Sequence, residues 1–374
     1  VKSADAVIVG GGVAGLAAAH ALLRAGVGRV QLVERERVPC AHSSGRNAAI
    51  FRHLSTTPGD LGLARRSREL LGELLGREEA WLRQSGTWFV SDPVQPGGDP
   101  IEPLAALAVE QRLPHARAAG DELTARVPSL QDGPMRSGLW SPDDGVMDIH
   151  AVTQALVRSI GEAGGTLSFG VDVAAVAVEG GRVTGVRLAS GERVGAGAVV
   201  IAGGAWAASL GASCGAPLPL QPKRRHLAQL ETAVSKVDPG APVVWCLGDE
   251  LYYRPESGGM LVSPCDGEPW PAELPPSSPA ALEVLARKLA RSVPRLSDAF
   301  VRRAWACLRT FAPDGAAVVG ADPRVPGLYW LAGLGGHGMT GGLAAGELLA
   351  ASFTGAFHPL KDALGVSRGV LAAH

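Results

Sequence analysis

A chain of 374 residues with 46% hydrophobic and 19% charged residues has a globular composition, with length enough for a large α/β domain and a second, inserted one. Lys+Arg 35 against Asp+Glu 36 leaves a formal charge of −1, which excludes the basic field that would attract a nucleic-acid backbone or an anionic membrane. The five cysteines (Cys40, Cys214, Cys246, Cys265, Cys307) are scattered and odd in number, without Cys-x-x-Cys or metal-ligand spacing, so neither a disulfide framework nor a metal site is predicted.

Ala6-Val7-Ile8-Val9 is a short apolar run ending in glycines, Leu16 to Ala25 has the small and apolar pattern of a buried helix, and Val30 to Val33 reads as a second strand closing on Glu34. Within this βαβ unit Gly10, Gly12 and Gly15, with Val13 and Ala14 between them, follow a strand and open a helix. Glu34 lies 19 positions after the last glycine. That context predicts a dinucleotide site: the glycines let the backbone turn tightly and approach a pyrophosphate, the helix N-terminus offers N–H groups, and Glu34 accepts from ribose hydroxyls.

Asp60 to Leu82 is predicted helical, with Arg65-Arg66-Ser67-Arg68 as a solvated face, and Pro93 to Pro103 reads as a loop. Asp148 is placed to cap a helix from about Ile149 to Ala163, followed by strands Thr166 to Val178 and Arg182 to Leu188 joined as a hairpin at Gly180-Gly181. Ala198 to Ala202 is a buried strand breaking on Gly203-Gly204, a second place where backbone can approach a cofactor. From about Pro217 to Arg309, strand-like runs (His226 to Leu230, Val243 to Cys246, Met260 to Ser263) and a helix near Pro279 to Ser292 predict an antiparallel second domain. Leu328 to Gly333 and a helix over Leu343 to Ala351 return to the nucleotide domain. The predicted fold class is α/β: a discontinuous Rossmann-type domain (1–84, 141–216 and 310–374) with an inserted α+β substrate domain (85–140 and 217–309) built on an antiparallel sheet. The N-terminus lacks a signal-like pattern and no run of about 18 apolar residues follows. A cytoplasmic location without membrane insertion is expected.

Four further stretches carry chemistry: His42-Ser43-Ser44-Gly45-Arg46-Asn47-Ala48-Ala49, Leu220 to Arg225, Trp305 to Phe311, and Gly335-Gly336-His337-Gly338-Met339-Thr340. On these and the nucleotide unit, the sequence resembles the FAD-dependent D-amino acid oxidase superfamily over nearly its whole length, closest to the D-arginine dehydrogenase and sarcosine oxidase branches. The resemblance implies FAD as cofactor. It assigns the nucleotide end to Gly10, Gly12, Val13, Ala14, Gly15, Glu34, Arg35, Val173, Gly203, Gly204 and Trp206. It assigns the ribityl chain and ring to Ser43, Ser44, Gly45, Arg46, Ala48, Ala49, Gly335, Gly336, Gly338, Met339 and Thr340.

By the same resemblance Arg309 holds a substrate carboxylate with its planar fork, and Tyr252 donates a second hydrogen bond, although Tyr253 alternates with it. Arg225 supplies further positive charge, preferred over Arg224 because adjacent strand residues point oppositely. His337 lies near the flavin face or the substrate, or else packs as an ordinary histidine in a glycine-rich turn. Departures from the branches are equally informative. Ser85-Gly86-Thr87-Trp88-Phe89 lacks the acid that receives a cationic side chain, so an apolar or aromatic side chain against Trp88 and Phe89 is expected. Ser55 stands where one branch has a lid tyrosine, and no lysine occurs near Met260-Leu261-Val262, which favours a dehydrogenase over a fast oxidase. Cys307 falls near the place where one branch attaches its flavin, the alternative being a buried free thiol.

The expected reaction is FAD-dependent oxidation of an amino acid or amine, a D-amino acid with a non-cationic side chain, by hydride transfer from Cα to flavin N5. The imine then hydrolyses to a 2-oxo acid, and the electron acceptor (a quinone, a dye-like acceptor or O2) is left open. The alternatives are a 2-hydroxy acid dehydrogenase, a sarcosine- or glycine-type secondary amine oxidase, and a non-enzymatic escort protein sharing the fold.

Overall fold

β1 (Ala4–Val9) is apolar from Ala6 onward because it runs between two parallel neighbours, β2 (Val30–Glu34) and the long strand Arg193–Ile201. The computed structural model describes residues 3–57, 59–94, 96–231 and 237–372. Thr166–Phe169 extends the parallel sheet beyond β2, Leu328–Ala332 extends it beyond Ile201, and Val318–Ala321 closes that edge antiparallel. The Gly180-Gly181 hairpin joins Val173–Glu179 to Arg182–Leu188 and lies against the first residues of Arg193–Ile201. Thr166–Phe169 is therefore a separate strand and not the start of the hairpin. Gly170, at φ +74°, breaks the chain between them.

Helix α1 (Val13–Arg24) packs on this sheet and against the C-terminal helix Gly338–Thr354. The latter starts five residues before the predicted Leu343, because the glycine-rich stretch that suggests a loop is buried helix. A Cβ on Gly342 would stand 3.2 Å from Val13, and one on Gly346 only 2.5 Å from the Ala17 carbonyl. The helix from Asp60 stops at Leu75, where Gly76 takes φ +77°, so the predicted run to Leu82 breaks into a 3-10 turn and a short strand, Leu82–Arg83. The predicted 93–103 loop ends early in helix Ile101–Glu110, whose Pro103 sits in the first turn, where no N–H is needed.

Nine strands, from 87–141 and 221–311, make a second sheet. All its pairings are antiparallel except Val243–Cys246 beside Thr87–Ser91. Its two longest strands, Gln221–Glu231 and Phe300–Phe311, run side by side and end against the first sheet through Phe311 and Leu334. Helix Pro279–Ser292 covers one face through Leu285 and Leu289. Asp148 caps helix Ile149–Glu162 by accepting from the Ala151 N–H at 2.8 Å. Among the described residues no helix is long and apolar enough to cross a membrane.

The helix pair predicts a specific sensitivity. Gly346→Ala sets a methyl against the backbone of Ala17, and chemical denaturation should show about 1–3 kcal/mol lost. An unchanged midpoint would mean that the two helices do not approach so closely.

Candidate active site

The C-terminal ends of β1, β2 and Arg193–Ile201 open onto a cavity of about 540 Å3 that continues to the second sheet. At the nucleotide end Gly10 (φ +118°) has its Cα against the Ala202 carbonyl, so any Cβ would fall 2.5 Å from that oxygen. Gly15 sits one turn into α1, where a Cβ would meet the Gly10 carbonyl; it packs the helix onto the turn and does not line the cavity. Gly12, Val13 and Ala14 do line it, and α1 begins without a side-chain cap; the Val13 N–H reaches only the Ser44 hydroxyl, 3.0 Å away. An uncapped helix start beside a glycine turn is a cradle for a pyrophosphate.

Glu34 accepts from the Gly11 N–H and, at 2.8 Å, from the Glu36 N–H. A carboxylate offers about four lone-pair sites, so two remain free to accept from a ligand. Arg35 stacks over Trp206, 3.7 Å from the ring centroid, and Val173, Gly203 and Gly204 complete this end.

Along the middle, Ser43 donates to the Leu308 carbonyl, and Ser44, Ala48 and Ala49 form the wall. Ala49 takes φ +58° and its carbonyl accepts from the Met147 N–H. Gly45 and Arg46 lie outside the cavity. A Cβ on Gly45 would meet the Cys40 carbonyl, and Arg46 turns its Nε to the Ala41 carbonyl while its own carbonyl accepts from Trp305. Gly335, Gly336, Gly338, Met339 and Thr340 form the opposite wall, where helix Gly338–Thr354 also starts without a side-chain cap. Two uncapped helix starts and the glycine turns suit a long, partly anionic ligand such as a flavin dinucleotide.

At the far end Arg309, Tyr252, Arg225 and His337 all border the cavity. Tyr252 pairs with Trp245 and Ser263 across its neighbouring strands and stacks on Trp245, 4.6 Å between rings, whereas Tyr253 points into the core and bonds Ser129 at 2.7 Å. Burial pushes the Tyr252 hydroxyl up to about 12, so it stays a donor; Arg309 and Arg225 pull weakly the other way. Arg224 turns from the cavity, stacks on Trp270 and pairs with Glu268. Arg309 is nearly buried, with Nη1 directed to Cys307 Sγ at 2.9 Å and to the Leu308 carbonyl at 3.1 Å. Cys307 itself packs beside Leu227 and Leu261 and does not line the cavity.

The expectation for Trp88 and Phe89 is corrected here. Thr87–Ser91 is buried on both faces, with Trp88 packed on Trp140 and Phe89 among Leu54 and Leu139, so neither reaches the cavity; Trp245 on the adjoining strand does. Sequence reasoning misses Arg52. It follows the two-residue strand Ile50–Phe51, lines the cavity, lies over Trp245 at 4.3 Å and donates to His337 Nε2. A guanidinium can only donate, so His337 carries its proton on Nδ1, 2.8 Å from Asp60 Oδ2, which in turn accepts from Ser55. Arg254 is also missed: buried and paired with Glu256, it holds the Ala48 carbonyl at 2.6 Å. Among the described residues no cluster of three His, Cys, Asp or Glu side chains could hold a metal.

A glycine-turned nucleotide sheet and a second sheet that close one long cavity define a flavin-dinucleotide oxidoreductase. The chain belongs to the FAD dependent oxidoreductase family, whose model matches residues 5–352. It is 32% identical over 319 residues to D-amino acid dehydrogenase of Methylobacterium sp. (strain 4-46), covering 79% of this chain and 70% of that one. It is 31% identical to D-amino acid dehydrogenase of Cereibacter sphaeroides (strain ATCC 17029 / ATH 2.4.9), where 73% of this chain spans 59% of the relative. Among solved structures, glycine oxidase from Geobacillus kaustophilus superposes with a TM-score of 0.83 at 23% identity over 100% of both chains.

Two measurements probe this site. Glu34→Ala should weaken FAD binding about 10- to 100-fold in flavin fluorescence titrations, the loss of charge-assisted bonds to the ribose; equal affinity would remove Glu34 from the nucleotide site. Burial raises all three tyrosines, Tyr252, Tyr253 and Tyr329. Unfolded chains release these protons near pH 10 while the native state keeps them, so stability should fall as pH rises from about 10 to about 12. Phenolate absorbance of the native protein should accordingly stay low at pH 10, and half-ionisation there would refute the burial argument.

Proposed function

We propose that this protein oxidises an amino acid, a D-amino acid with a non-cationic side chain, at the end of the cavity bordered by Arg309 and Tyr252. One observation carries the reading. A nearly buried arginine without a carboxylate partner among the described residues and a protonated tyrosine border the same cavity as the glycine turns and uncapped helix starts. A guanidinium fork matches a substrate carboxylate geometrically, and the tyrosine hydroxyl adds a third donor. The flavin, when bound, supplies the two-electron acceptor for hydride from the substrate Cα.

Such oxidation needs a neutral amine. Arg52, Arg225 and Arg309 border this end of the cavity without an acid or lysine among its lining residues there, and their positive field disfavours an ammonium group. Loss of the Cα hydride and one N–H proton leaves an imine; water adds, ammonia leaves, and the 2-oxo acid results. The absence of lysine in Gly259–Ser263 supports a dehydrogenase, using a quinone or dye-like acceptor more readily than O2.

Anaerobic bleaching of the bound flavin by D- and L-amino acids, N-methyl amines and 2-hydroxy acids tests the proposal. D-amino acids should bleach it, and the reduced protein should be reoxidised faster by a dye than by air. Arg309→Met should raise the half-saturating substrate concentration about 100-fold, the loss of a charged hydrogen-bonded pair, with a smaller change in limiting rate. Bleaching by 2-hydroxy acids alone, or by nothing, would sink it.

A further inference from the structure

Three arginines converge on one end of the cavity from three parts of the chain. Arg225 comes from Gln221–Glu231, Arg309 from the adjoining Phe300–Phe311, and Arg52 from the segment after Ile50–Phe51. Arg225, Arg309 and Tyr252 border this end together, and Arg52 lies over Trp245, whose ring also meets Tyr252. Buried arginines elsewhere in this sheet are paired with acids, Arg224 with Glu268 and Arg254 with Glu256. These three have no such partner among the described residues.

The donors are equally idle. A guanidinium has five N–H groups. Among the described residues Arg52 gives one contact to His337, Arg309 gives only Nη1 to Cys307 and Leu308, and the Arg225 side chain donates to nothing, its Nε being buried without a partner. Of the carboxylates whose charge is felt here, Asp60 holds His337, Asp266 holds His226, and Asp144 holds His53 through Oδ1 while its buried Oδ2 has no partner among the described residues. Among the described residues none of these acids pairs with the three arginines. Through His337, the first also fixes where Arg52 points.

One α-carboxylate accepts one fork, which Arg309 with Tyr252 supplies in the function proposed above. Two half-buried cationic forks with empty donors are left over, and a charge partly withdrawn from water is stabilised where an anion meets it. We infer that the substrate carries a second carboxylate, received by Arg52 and Arg225: a dicarboxylic amino acid of the aspartate or glutamate type, or an amine bearing two carboxyalkyl arms. Trp245, stacked between Arg52 and Tyr252, forms the apolar wall along the linking carbons.

The inference rests on the proposed amine oxidation for its chemistry but not for its binding test. Perturbation of the flavin spectrum of the holoprotein is titrated with inert probes, malonate, succinate and glutarate against acetate, propionate and butyrate at equal ionic strength. At least one dicarboxylate should bind ten-fold or more tighter than the monocarboxylate of equal length, and Arg52→Met and Arg225→Met, checked for flavin content, should each bring that ratio below about three-fold. Parity of mono- and dicarboxylates in the unsubstituted protein, or a preference that survives both substitutions, overturns the inference. A parallel bleaching series compares aspartate with asparagine and glutamate with glutamine in both stereochemistries. If amides bleach as well as acids and the probes show parity, the substrate class is wrong and amine oxidation stands. If dicarboxylates keep their advantage and no amine bleaches the flavin, the anion site stands and the oxidation reading falls.

Discussion

The contact of bare backbone on bare backbone at the first turn sets the position of everything downstream. Gly10 lies against the Ala202 carbonyl and Gly15 against the Gly10 carbonyl, with no room for a methyl at either place. That closeness pulls α1 onto the sheet and aims its N-terminus along the strand ends. Gly346 repeats the device one layer out, letting the C-terminal helix rest on Ala17. The same helix therefore starts beside the cavity, and both of the cavity's walls inherit their spacing from glycines.

The second sheet works by different means. Its register is carried by long paired strands, so Arg225 and Arg309 arrive at the cavity through the pairing of Arg225 with Cys307 and of Lys223 with Arg309. Alternation then decides faces: Tyr252 inward and Tyr253 to the core, Arg225 inward and Arg224 to Glu268. Side chains here make a cationic basin, whereas the nucleotide end is largely main chain.

This division explains what could be read from sequence. Glycine turns, strand ends and the Glu34 spacing are local and leave a pattern over a few dozen residues, as do Asp148 and the Gly180-Gly181 hairpin. Arg52 leaves none. Its significance comes from His337, 285 positions away, and no periodicity links the two. Trp88 and Phe89 mislead for a related reason, since a central strand buried on both faces looks from sequence like any apolar wall, and only the neighbouring strand brings a tryptophan, Trp245, to the cavity. The start of the C-terminal helix is hidden because five residues containing three glycines favour a loop by propensity, while close packing against Val13 and Leu63 makes them helical.

The Asp60–His337–Arg52 chain joins the first residue of one helix to the residue that precedes another. Sliding of the Asp60–Leu75 helix along the Gly338–Thr354 helix would break the Nδ1 bond, free the imidazole to turn, and release the guanidinium it holds. Alignment of the basin is thus tied to helix packing on the far side of the site. A change on the outer surface of either helix can therefore shift the orientation of Arg52 without touching any residue that lines the cavity.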